Sequence, residues 1–275
     1  PVIPRNVQRL VYEIAPFLAV IPAFLIALNI PWGRPFTVGS REIMLQGVDI
    51  NVALLFILAC SSMAVYAVVL AGWSSGSKYP LLGGIRGTAQ AISYEAAMGL
   101  ALVSVVMFSA TYPGVEGGTL SLAEIVERQS GTWGGFIPRW NIIPLIPAFV
   151  IFLISAIAET NRAPFDLVEA EQELTGGYFT EYSGIRWAMF FLGEYINIFT
   201  MSALTATLFL GGWNGPTWDG VLPAWISGIL PTVWLFLKTY VIVFIFFWIR
   251  ATLPRFRYDQ LMQLGWKRLI PGAVL

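Results

Sequence analysis

Residues 141–160, NIIPLIPAFVIFLISAIAET, run directly into residues 161–174, NRAPFDLVEAEQEL, and the fold is decided by reading the two together. The first stretch is apolar almost throughout and has about the twenty residues that an α-helix needs to cross a bilayer. The second sets Arg162, Asp166, Glu169, Glu171 and Glu173 just beyond Glu159, at the end of that run. Charge beside hydrocarbon is expensive and is usually kept for a function. The pair reads as a membrane span that opens into a carboxylate cluster.

The rest of the chain agrees with a membrane setting. It is 57% hydrophobic and only 12% charged, against about 25% charge in an ordinary soluble domain. Eleven Trp, 19 Phe and 10 Tyr suit a bundle with aromatic side chains at its interfaces. A net charge of zero argues against a nucleic-acid partner. With no His in the chain, His-ligated haem, His zinc sites and His proton shuttles are excluded within it. The single Cys60 lies in an apolar run and reads as a small buried residue; it cannot build an iron–sulfur cluster. Metal ligation is not expected, and any redox centre must belong to another chain.

Hydropathy and length predict an all-α fold: one polytopic transmembrane helix bundle over residues 1–275, with six spans at about 11–31, 49–73, 91–111, 141–160, 185–211 and 229–250. Prolines 16, 22, 144 and 147 fall within two of these spans, where kinks are expected. The chain opens on Pro1-Val2-Ile3-Pro4 and closes on a new apolar stretch, so it reads as a fragment trimmed at both ends. Residues 120–128 form a short amphipathic stretch, expected as a surface helix. No internal repeat is visible, which disfavours a transporter built from inverted halves.

Lys and Arg set the orientation. Eleven of them (residues 5, 9, 78, 86, 162, 186, 250, 255, 257, 267 and 268) fall on one side and four (34, 41, 128 and 139) on the other, with Lys238 inside a span. The positive-inside rule makes the first side cytoplasmic, and the acidic segment with it.

Four ionisable residues fall within spans or at their edges. Glu95 opens the third span and Glu159 closes the fourth. Glu194 lies about 13 Å into the fifth, and Lys238 about 18 Å from the cytoplasmic end of the sixth. A charge at such depth costs at least about 2.5–3.5 kcal/mol unless it is hydrated, paired or neutral. Groups tuned by burial exchange protons near neutral pH, as a proton relay requires. The plainer reading is a structural ion pair, for example Glu194 with Lys238. Asn197 shares a helix face with Glu194 and could bond it or hold water beside it. Glu13 and Asp49 are adequately explained by snorkelling or capping at span ends. The acidic run 166–173 by itself reads as a solvated helix start. Residues 74–87, SSGSKYPLLGGIRG, lack the order of a phosphate-binding loop, and their glycines suit tight cytoplasmic turns and close contact with a partner.

Several stretches together resemble the H-type (subunit 1) membrane subunit of respiratory complex I, the proton-pumping NADH:quinone oxidoreductase. They are Gly83-Gly84-Ile85-Arg86 with Ala89-Gln90 and Ser93-Tyr94-Glu95; Glu159-Thr160-Asn161-Arg162-Ala163-Pro164-Phe165-Asp166-Leu167 with Glu169-Ala170-Glu171; Thr180-Glu181-Tyr182-Ser183-Gly184; and Arg255-Phe256-Arg257-Tyr258-Asp259-Gln260-Leu261-Met262. The resemblance spans nearly the whole chain, and the second and fourth pieces are specific as a pair. Val168 stands where the family usually has Pro. The family's full chain carries a further span at each end, eight in all.

The resemblance implies a subunit of a translocase of the respiratory chain that itself binds no cofactor. Quinone is the substrate, while NAD, FMN and the iron–sulfur clusters belong to partner subunits. It places Arg162, Asp166, Glu169, Glu171, Glu173 and Arg186 in or beside a quinone chamber. It places Glu95, Glu159 and Glu194 on a proton path toward neighbouring membrane subunits, to which the depth of Lys238 in its span adds that residue, and Arg255 and Arg257 against the hydrophilic quinone-site subunits. The implied location is a bacterial inner membrane rather than a mitochondrial one. Rival readings are the equivalent subunit of a membrane-bound hydrogenase or formate-hydrogenlyase complex, a stand-alone transporter and a purely structural anchor. Ubiquinone and menaquinone are not distinguished, nor is the electron donor.

Overall fold

A computed structural model of the chain describes residues 7–38, 41–43, 45–112, 117–133, 135, 137–166, 176–216 and 224–274. It is mostly helical: α1 (Arg9–Asn29), α2 (Ala53–Ser74), α3 (Lys78–Ser109), α4 (Leu122–Arg128), α5 (Ile146–Glu159), α6 (Ile185–Phe209), α7 (Ala224–Thr252), α8 (Tyr258–Leu264) and α9 (Ile270–Val274). A 3-10 turn, Gly177–Phe179, precedes α6, and a π turn, Gly265–Leu269, joins α8 to α9. Two small antiparallel hairpins, Phe36–Val38 with Arg41–Ile43 and Thr132–Trp133 with Ile137–Pro138, complete the described elements.

A helix stands in each of the six regions expected to hold one. Four are long and apolar enough to cross a membrane: Arg9–Asn29, Ala53–Ser74, Lys78–Ser109 and Gly228–Thr252. The other two differ for physical reasons. α5 has only 14 residues, about 21 Å of helix, because residues 141–145 form turns and Pro147 sits in its first turn. Pro is well placed there, since the first-turn N–H has no helical partner to lose. α6 is long enough, but it carries Glu194, Asn197, Thr200, Ser202, Thr205 and Thr207, which dilute its apolar character.

α3 begins thirteen residues before the expected 91, at Lys78. Its glycines therefore serve packing, and the turn before it is confined to the residues around Gly76, whose φ is +64°. A Cβ on Gly84 would meet Val68 O of α2 at 3.0 Å, and one on Gly83 would meet Gly177 Cα at 3.0 Å. Small residues let membrane helices approach this closely.

α1 packs on α2 and α6, α2 on α3, α3 on α5, and α6 on α7, while the α8–α9 segment lies against α3 and α5. Tyr94, Met98, Phe152, Met201 and Phe209 are fully buried in the shared core. The outer faces are apolar as well. Phe17, Ile21, Phe24 and Leu28 are exposed along one stripe of α1, and Val233, Leu237, Val241, Phe244 and Trp248 along one stripe of α7. Contiguous apolar surface of this extent marks contact with lipid or protein.

The C-terminal end of α6 is bound with unusual completeness. A helix terminus leaves its last four carbonyls without helical partners. Here Thr207 O accepts from Gln129 Nε2 at 2.9 Å, Leu208 O from Asn141 Nδ2 at 2.8 Å, Phe209 O from Ile142 N at 2.9 Å, and Leu210 O from Lys238 Nζ at 2.7 Å. Residues 120–128, expected along the surface, contribute to this end instead: Leu122, Ile125 and Val126 of α4 are buried, and α4 packs on α6. The Thr119 hydroxyl, then Arg128, hold the Glu124 carboxyl of α4 below the usual carboxylate range.

Candidate functional site: a charged cleft at the end of α5

α5 stops at Glu159 and the chain turns sharply. Asn161 adopts a φ of +51°, and the Ala163–Pro164 bond is cis. Fully buried Gln90 of α3 clamps the turn by donating Nε2 to both Ala158 O and Phe165 O at 2.8 Å. An amide nitrogen has two hydrogens, and both are used. Beyond α7, Arg255 Nη2 lies 3.0 Å from Asp166 Oδ2, and Phe256 N donates to Pro164 O at 3.0 Å. The turn is thus tied to α3 on one side and to the segment after α7 on the other.

So held, Arg162 points into the bundle. Its Nε lies 2.6 Å from Glu194 Oε1 of α6, with the two side chains 9% and 12% exposed. Its Cζ lies 4.7 Å from the centroid of the Tyr195 ring. A buried pair survives desolvation only with close geometry and further partners, and the aromatic face supplies one.

Beside this pair is a cavity of about 80 Å³ lined by Ser61, Glu159, Asn161, Glu194, Asn197 and Tyr178, among others. Glu159 Oε2, Asn161 Oδ1 and Asn197 Oδ1 are buried and have no hydrogen-bond partner among the described residues. The lining is otherwise mostly apolar, so a few water molecules, each needing two to four polar partners, find them at these groups. Next to the cavity, Glu95 of α3 accepts hydrogen bonds from Ser62 and, at 3.3 Å, from Ser61, both on α2. Glu95, Glu159, Glu194 and Arg162 therefore gather around one cleft, although they come from four different elements. Among the described residues no three Cys, Asp or Glu side chains come close enough to ligate a metal ion.

Other candidates lie elsewhere. Arg186, at the start of α6, lies 3.1 Å from Glu13 and 5.6 Å from the centroid of Tyr12, whose ring stacks on Tyr182 at 4.1 Å. Glu13 therefore has an ion-pair role that its place at a span end did not suggest. Arg257 is exposed and lies 3.4 Å from Asp259. Glu169, Glu171 and Glu173 lie outside the described residues.

The suggested pair of Glu194 with Lys238 does not form. Lys238 Nζ instead donates to the carbonyls of Leu210, Gly212 and Asn214 at 2.7, 2.9 and 2.5 Å, and it lies 4.6 Å from the centroid of the Trp140 ring. Leu210 is sixteen residues along from Glu194, about 24 Å of helix rise. The two charges therefore sit toward opposite ends of α6. Sequence reasoning missed Ser61 and Ser62. Their signal is two adjacent hydroxyls near the middle of an otherwise apolar helix.

Apolar helices of spanning length around a buried, charged cleft define an integral membrane protein. A model of the NADH dehydrogenase family matches residues 1–275, and the chain belongs to that family. The H-type subunit of NADH-quinone oxidoreductase from Protochlamydia amoebophila (strain UWE25) is 53% identical over 272 residues, which is 99% of this chain and 76% of that protein.

Proposed function

We propose that this chain is the membrane subunit of a proton-translocating NADH:quinone oxidoreductase, in which it borders the quinone chamber and couples quinone reduction to proton movement. The observation that carries the reading is the buried Arg162–Glu194 pair at 2.6 Å. It joins the base of the acidic segment to a polar cleft holding Glu159. Reduction of quinone near Asp166, Glu169, Glu171 and Glu173 changes the local charge. That change alters the hold of Arg162 on Glu194, and with it the proton affinities of Glu194, Glu159 and Glu95. Each pKa unit of such a change is worth about 1.4 kcal/mol.

On this reading α1, α2, α3, α5, α6 and α7 all cross the membrane as one domain, some of them kinked at proline, in a bacterial inner membrane. The chain supplies no cofactor, and NAD, FMN and the iron–sulfur clusters are held by hydrophilic partners that dock near Arg255 and Arg257. Arg186 borders the chamber at the start of α6. Lys238 is assigned to holding α6 rather than to the proton path, since its ammonium donors all meet backbone carbonyls.

The hydrogenase reading draws no support from the family match or from the named relative. Purifying the complex through a tag on this chain tests the choice. Copurifying NADH- and flavin-binding subunits with quinone-reductase activity agree with the proposal; hydrogenase subunits and hydrogen evolution without quinone reduction contradict it.

A further inference from the structure

Two hydroxyls of α2 touch the carboxylates of the cleft, and neither carries a charge that would mark it in the sequence. Ser62 donates to Glu95 Oε1, and Ser61 Oγ lies 3.3 Å from the same oxygen. Ser61 also lies on the wall of the cavity that holds Glu159 and Glu194, and the buried Glu159 Oε2 has no hydrogen-bond partner among the described residues. Glu95 and Glu159 come from different helices, α3 and α5, and this hydroxyl links the Glu95 carboxyl to the cavity that Glu159 lines. Its other neighbour is Leu58 O, one turn back on α2, at 3.1 Å. Ser61 is 3% exposed, so bulk water does not compete for these contacts.

A hydroxyl has one proton to give and two lone pairs with which to accept. Leu58 O and Glu95 Oε1 offer its one proton two positions, and a serine hydroxyl turns readily between them while its lone pairs stay open to the cavity. We propose that Ser61 is a proton-relaying residue between Glu159 and Glu95, with Ser62 fixing the receiving carboxylate oxygen. This rests on the proton-path reading above and names the group through which two members of that path communicate.

The step balances as a chain of proton shifts. Protonated Glu159 gives its proton to a water held in the shared cavity as that water gives one to Ser61 Oγ; the O–H bond of Glu159 breaks, the water exchanges one O–H for another, and a new O–H forms on Ser61. The original Ser61 proton leaves for Glu95 Oε1, so one O–H breaks at serine and one forms at glutamate. Glu159 ends as carboxylate and Glu95 as acid, and no electron moves. The relay resets when Glu95 passes its proton on, Glu159 is reprotonated and the Ser61 hydroxyl turns back toward Glu95 Oε1. Ser62 donates to the oxygen that receives the proton, so its bond keeps the Glu95 carboxylate facing Ser61.

The test compares Ser61→Val, Ser61→Thr and Glu159→Gln in the whole complex, purified and reconstituted in proteoliposomes. Valine fills the space of the hydroxyl and keeps water from replacing it; threonine restores the hydroxyl. Relay predicts that Ser61→Val lowers proton-coupled quinone reduction by roughly tenfold or more, in the range of lost proton-transfer catalysis, and that Ser61→Thr recovers most of it. Wild-type coupling in Ser61→Val with impaired coupling in Glu159→Gln overturns the serine relay and leaves the path intact. Wild-type coupling in both overturns the path itself and the relay with it. Should Ser61→Val fail to assemble, the infrared carboxyl stretch of Ser61→Ala decides. A band shift relative to wild type supports the serine contact, and an unchanged band overturns it.

Discussion

Arg162 Nε sits 2.6 Å from Glu194 Oε1 although the two residues belong to different elements, one to the turn after α5 and the other to the first half of α6. The turn carries the first residues of the acidic segment, and α6 lines the polar cleft. Any motion or charge change in the turn is therefore felt at Glu194.

Removing the cation should expose the cost of the pair. Arg162→Gln leaves Glu194 buried without this partner, and breaking a buried pair typically costs about 3–5 kcal/mol. Arg162→Lys should recover only part of that, because a lysine lacks the planar group that lies over Tyr195. Thermal unfolding of the detergent-solubilised complex measures both. Equal stability of wild type and Arg162→Gln would remove the energetic link between turn and helix.

Lys238 should behave as a structural clamp. Hydrogen bonds from a charged group are worth about 1.5–3 kcal/mol each, and Lys238 makes three to backbone carbonyls. Lys238→Met should lower stability and yield of the complex while leaving protons moved per electron unchanged in what assembles. A changed ratio at normal stability would return Lys238 to the proton path.

Gln90 is the hinge pin of the turn. Replacing it with Leu takes the donor from Phe165 O, at about 1–3 kcal/mol, and leaves Ala158 O with its backbone bond from Asn161 N at 3.3 Å. Faster amide hydrogen exchange at residues 159–166 and weaker quinone-reductase activity should appear together. Unchanged exchange there would show that Arg255 and Phe256 hold the turn without it.

Near the C-terminal end of α6, Tyr112 donates to Asn141 Oδ1 at 2.6 Å, and burial pushes its hydroxyl up to about 12. A tyrosine is neutral when protonated, so a raised folded value favours the protonated form in the folded state. The contribution is complete below the ordinary value of 10.0 and is lost as pH rises through about 12. Tyr112→Phe should flatten that part of an alkaline unfolding profile. An identical profile would exclude this hydroxyl as its source.

The helices were legible in the sequence because apolar length is a strong signal, and Glu95, Glu159 and Glu194 were legible because charge in apolar runs is rare. The start of α3 was misplaced, since Gly83, Gly84 and Gly87 look like turn residues until α2 and Gly177 are seen pressed against them. Lys238 looked like a partner for Glu194 because depth along two helices can be counted from sequence, but which ends of the helices meet cannot. Ser61 and Ser62 carry no charge, and only the packing of α2 on α3 brings them to Glu95.

Everything proposed for the cleft depends on Glu194 taking part in coupling quinone reduction to proton movement. The decisive quantity is the number of protons translocated per electron by the Glu194→Gln complex in proteoliposomes. A ratio well below wild type is expected in a complex that still assembles; an unchanged ratio at an unchanged quinone-reduction rate would contradict the coupling role of Glu194.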